Sequence, residues 1–208
     1  MQKRLHDKKA GIAILAVIFI ISLTDVILRA TVFSDLAASI TNYGEVLITA
    51  GLSALLIIFA LKGKDRLVYI LCGVWLGCFV FDQLFGLPAL IAAFVSTQAN
   101  GFSITLENIG ILLHIVGMIG IIAIGILLVE YMNDGSICNK AFNFFCIASV
   151  LMFLLHSVYG IYGLLSNVAS LDVLLAILSN LQRIAMVFLF TFFAYDSAKI
   201  QLRKTKLS

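Results

Sequence analysis

The stretch Ile104-Thr-Leu-Glu-Asn-Ile-Gly-Ile-Leu-Leu-His-Ile-Val-Gly-Met-Ile-Gly-Ile-Ile-Ala-Ile-Gly-Ile-Leu-Leu-Val-Glu-Tyr-Met132 decides the fold. It is nearly unbroken apolar sequence, longer than the ~20 residues that cross a bilayer as a helix. Its first half is not uniformly apolar. Glu107, Gly110, His114 and Gly117 recur at i, i+3, i+7 and i+10, so they share one helix face. From Met118 to Val129 there is no ionisable group. A carboxylate and an imidazole therefore sit in one half of a membrane helix, beside two glycines that let a neighbouring group approach the backbone.

Five other stretches repeat this arrangement more weakly. The spans fall at about 10–32, 44–62, 67–95, 104–131, 141–165 and 171–197. The third is long and holds Pro88, so it either kinks there or ends and is followed by an interfacial piece. The run from Gly11 to Ala30 is too long for the core of a cleaved signal and carries Asp25, so it reads as the first spanning helix.

Composition agrees. Of 208 residues, 62% are hydrophobic, where a soluble domain has about 45–50%. One proline and no Gly/Ser-rich linker point to a single domain over 1–208. Cys72, Cys78, Cys138 and Cys146 form no Cys-x-x-Cys, which removes the signature of a thiol–disulfide oxidoreductase or a zinc site.

Orientation follows from where the cations lie. Apart from Arg29 and Arg183, every Lys and Arg falls in one of four patches: Lys3–Lys9, Lys62–Arg66, Lys140 and Lys199–Lys206. With six spans all four patches lie on one side, and the positive-inside rule makes that side cytoplasmic. Five or seven spans would leave a basic patch outside. The expected architecture is thus an all-α bundle of six transmembrane helices, in the cell (inner or plasma) membrane, with both termini cytoplasmic. The patches flank membrane segments and do not read as a nucleic-acid surface.

Ionisable groups inside a bilayer cost at least ~2.5–3.5 kcal/mol each mid-helix, so they are functional candidates. Here they crowd into the half away from the termini. Asp25 and Arg29 are i, i+4 partners, and Glu45 opens the second helix. Asp82 lies on the third helix and Glu107 and His114 on the fourth. His156 and Tyr159 lie on the fifth, and Asn180 and Arg183 on the sixth. These ten are the candidate ligand-binding residues, expected to converge on a cavity open to the outside. Asp25, Asp35, Glu45, Asp82, Glu107 and Asp172 outnumber the two arginines, which favours a cationic or amine-bearing solute. Asp25 with Glu45, Asp82 with Glu107, and His156 with Asn180 also suggest three repeated helical hairpins, as in some transporters.

Two alternatives stand beside the solute reading. Facing imidazoles at His114 and His156 could be axial ligands of a b-type haem, with Arg183 on a propionate. The polar groups could instead lock helix packing in a non-catalytic scaffold or sensory subunit. No Gly-x-Ser-x-Gly, His-Glu-x-x-His or Walker motif is present, so an enzyme is the less favoured class. In size and topology, with a small-residue stripe at Ala10, Ala13 and Ala16, the chain resembles the substrate-binding membrane subunit of energy-coupling-factor vitamin importers. That resemblance implies an energising partner subunit, since this chain has no ATP-binding segment.

Overall fold

A computed structural model describes residues 8–32, 36–98, 105–134, 139–165 and 170–205. Among the described residues it is all-helical: α1 (Lys8–Val32), α2 (Leu36–Leu61), α3 (Asp65–Thr97), α4 (Leu106–Asp134), α5 (Asn139–Leu165) and α6 (Ser170–Thr205). Five of the six are long and apolar enough to cross a membrane. The exception is α2, whose described apolar part is the shorter Val46–Leu61.

Besides α6, which runs to Thr205, eight positions past its expected end, two features differ from the sequence reading. The first is at α2, which is helical from Leu36, eight positions before the expected start. Leu36, Ala37 and Ala38 are strong helix formers, while hydropathy locates the edge of the apolar run and not the edge of the helix. The second is at Pro88, which lies inside a continuous α3. A proline forfeits one backbone bond, and in a long helix the turns on either side hold the segment helical.

Neighbouring helices pack in chain order, and α1 closes onto α6. The six are not equivalent. α6 also touches α3 and α4, so it contacts four of the other five helices. From Ile184 to Ala194 it is buried at Ile184, Ala185, Met186, Val187, Leu189, Phe190, Phe193 and Ala194. Ala185 and Ala194 let adjacent backbones come close. By contrast α3 is peripheral, buried only at Val68, Cys72, Trp75, Leu76 and Gln83. Its second half turns Phe81, Leu84 and Phe85 outward, the last 77% exposed. A central α6 and a peripheral α3 are not the arrangement of three equivalent hairpins.

The chain enters α1 and leaves α6 at one end of the bundle, where Gly63 (φ 70°) turns α2 into α3. Glycine tolerates this left-handed conformation without a Cβ clash. We call this the proximal end. The apolar core lies toward it: Leu15 and Ile18, Leu56 and Ala60, Val68 to Leu76, Ile121 to Leu128, Phe142 and Cys146, and the α6 run. Of the buried polar side chains, Asp25, Asn108, Ser157, Asn180 and Gln182 lie toward the distal end, Ser22, Thr49 and Gln83 near mid-height, and Ser53, Ser149 and Asp196 nearer the proximal end.

Candidate functional site

The distal polar groups meet chiefly between α4, α5 and α6. The reason is the glycine face of α4. A Cβ built on Gly110 would stand 2.9 Å from the Tyr159 ring, and one on Gly117 would stand 2.7 Å from the Phe153 ring. One on Gly120 would meet the Ser149 hydroxyl. Positions 110, 117 and 120 on α4 thus meet 159, 153 and 149 on α5, falling as the first set rises, as antiparallel helices require. His114 belongs to the same register and faces His156. The groups that the glycines admit are therefore the α5 side chains themselves.

The two imidazoles lie in contact, centroids 5.1 Å apart and planes tilted by 59°. Phe153 stands edge-on to His114 at 5.9 Å. Tyr159 stacks on His156 at 6.5 Å, one turn along α5. From α6, Asn180 Nδ2 lies 3.1 Å from His156 Nδ1. An amide donating to Nδ1 leaves the proton of a neutral imidazole on Nε2. Asn180 is buried and both histidines are half-buried. Three residues further along α6, Arg183 donates from Nη1 to Ser179 Oγ at 2.7 Å. Its guanidinium carbon lies 5.8 Å from the Phe153 ring centroid. His114, His156, Tyr159, Asn180 and Arg183, five of the ten candidates, are thereby brought to one cluster.

The other five are elsewhere or undescribed. Asp25 is buried on α1 and accepts from Arg29 Nε at 2.7 Å, so these two pair with each other within α1. Asp82 is exposed on α3 and accepts from Gln83 Nε2 at 2.9 Å. The side chains of Glu45 and Glu107 lie outside the described residues, as do those of Asp35 and Asp172.

A bis-histidine haem needs one imidazole on each face of the macrocycle. Here the rings lean on each other, and Tyr159 and Phe153 fill the spaces beside Gly110 and Gly117. These residues as arranged do not frame a haem. Among the described residues, no group of three or more His, Cys, Asp or Glu could hold a metal ion.

Four residues of interest escaped the sequence reading. Phe153 is the buried floor beneath both His114 and Arg183. Its place three residues before His156, on the same face, was the available signal. Gln83 is buried, with Oε1 meeting no described partner. Asn108 accepts from Thr97 Oγ1 at 2.7 Å and ties the distal end of α3 to α4. Asp196 is a buried carboxylate of the proximal half, beside a small crevice that Lys8 and Tyr69 also line. No family model matches this chain, and no curated protein or solved structure shows significant similarity to it.

Proposed function

We propose that this chain is an integral membrane protein of six spanning helices, with both termini cytoplasmic, that binds or transports a small polar solute at the α4–α5–α6 cluster. The observation that carries the reading is the meeting of His114, His156, Asn180 and Arg183 from three helices. Such groups are expensive in a membrane, and function is the usual reason to keep them. Tyr159, half-buried beside the histidine pair, would offer a solute an aromatic face.

The excess of carboxylates over arginines in the half away from the termini points to an amine-bearing solute. At the cluster, however, Arg183 is a fixed positive charge. An amine therefore needs a counter-charge, for which the i, i+7 spacing from His114 in the sequence makes Glu107 the candidate. The test is a thermal-shift panel of small amines and small carboxylates on the purified protein, with His156→Ala and Glu107→Gln alongside. Binding predicts stabilisation of the parent by one chemical class and its loss in His156→Ala. An amine ligand is further lost in Glu107→Gln, whereas a carboxylate ligand is not. If no compound separates the parent from the variants, and each variant simply melts lower, the cluster is a packing device and the solute reading fails. By analogy with importers of similar size, a transporter of this form would take its energy from a partner subunit or an ion gradient.

A further inference from the structure

Between α3, α4 and α6, away from the histidine cluster, lies an apolar groove of about 530 Å³. Gly73, Gly77 and Phe81 form one wall, Ile122 and Ile126 the other, and Phe190 the floor. The groove exists because α3 is peripheral and carries small residues where it diverges from α4. A Cβ on Gly77 would meet nothing within 4 Å. Gly125, in contrast, is filled by Val80 at 2.6 Å, where the two helices touch.

What would lie in this groove follows from its proximal mouth. Residues 66, 73, 77, 80 and 84 fall on one face of α3 by helical spacing. Arg66 therefore stands in line with the groove, seven residues or about 10 Å below Gly73. It is exposed, as are Lys62 and Lys64 in the adjoining turn. Lys64 leans over the Phe59 ring at 5.6 Å, away from this line. The nearest carboxylate on α4, Glu130, is exposed roughly a quarter turn round from the groove face. Helical spacing thus sets an exposed guanidinium in register with the apolar groove, toward the predicted membrane surface.

We propose that this groove binds one glycerophospholipid, with an acyl chain laid along Gly73, Gly77 and Ile126 and the phosphodiester held by Arg66. A guanidinium pairs with two phosphate oxygens at once and is favoured for this contact over an ammonium. The chain region supplies dispersion contact on three sides, more than a flat lipid-facing helix offers. The site rests on membrane insertion and is independent of any solute at the histidine cluster.

The test is native mass spectrometry of the full chain in detergent, titrated with palmitoyl-oleoyl phosphatidylethanolamine and, separately, with palmitoyl-oleoyl glycerol, which lacks the phosphate. One phospholipid should bind per chain. Arg66→Gln should weaken it at least tenfold and leave the diacylglycerol unchanged. Gly77→Phe, which fills the groove, should weaken both; Gly77→Leu replaces it if the larger variant does not fold. Equal phospholipid binding by the parent and the groove-filling variant overturns the site. Equal binding by the parent and Arg66→Gln overturns the phosphate contact. Covalent dimers formed through Gly77→Cys in native membranes would assign the groove to a second copy of the chain and overturn the lipid.

Discussion

The proximal and distal halves of the bundle are built from the same six helices by different means. The proximal half buries Leu56, Ile121, Ile124, Phe190 and the rest of the α6 run, side chains with no hydrogen bonds to satisfy. Within a bilayer lipid tails are as apolar as these residues, so helices associate by close packing and polar contact more than by water exclusion. Aromatic interlocking provides that packing: Tyr69 stacks on Phe193 at 4.5 Å, and Phe79 meets Phe190 at 6.3 Å. The distal half buries amides, hydroxyls and charges, and is held by a few directional contacts such as Asn180 to His156 and Arg29 to Asp25. Packing tolerates small rearrangement, while directional contacts do not. The lesson is a division of labour, with the proximal half holding the fold together and the distal half holding particular groups in place.

Several substitutions test this contrast, beginning with the one of largest expected effect. Phe190→Ala empties a fully buried proximal site and should cost about 3–5 kcal/mol, measured as denaturant-induced unfolding in a fixed detergent. Such a loss from every distal truncation as well would erase the distinction. Arg29→Leu leaves the buried Asp25 carboxylate without its partner. About 2–3 kcal/mol is expected, at the low end for a broken pair because Arg29 is partly exposed. The double variant Asp25→Asn with Arg29→Leu should recover most of that, and failure to recover would mean the pair does more than neutralise itself.

Smaller changes separate packing from positioning at the cluster. Gly117→Val drives a side chain into the Phe153 ring and should cost about 1–3 kcal/mol as α4 and α5 move apart. It should also alter the contact of the two imidazoles, read from histidine ring NMR signals with His6→Gln as the background. Asn180→Leu removes a buried partner of His156 and should cost about 1–2 kcal/mol, with the ring signal of His156 shifting more than that of His114. Tyr195→Phe removes an exposed 3.2 Å bond to Asn143 in the proximal half. It should change stability by no more than about 0.5 kcal/mol, and a larger loss would show that half to depend on polar contacts too.

Much of the helical layout was legible in the chain because hydropathy along a membrane segment is a one-dimensional signal. Runs of about 20 apolar residues leave little choice of secondary structure, since every backbone group must bond within its own segment. The depth of Asp25, His114, His156 and Asn180 was also visible, in their spacing from the helix ends. The way each polar group faces was not. Asp82 shares a helix face with Trp75 and Cys78, yet it is exposed, and its neighbour Gln83 is the buried one. On a helix apolar all round, periodicity carries no mark of which side meets protein and which meets lipid.

The sequence by itself determined the succession of apolar helices, because that depends only on position along a segment. Tertiary structure alone decided that α6 is central and α3 peripheral. It also decided that Gly110 and Gly117 receive Tyr159 and Phe153. These outcomes depend on which helix faces touch, and in an apolar bundle shape complementarity between small and large side chains chooses those faces. The histidine pair belongs to both accounts: its depth was written in the chain, and its contact was made by the glycines that let α4 and α5 close.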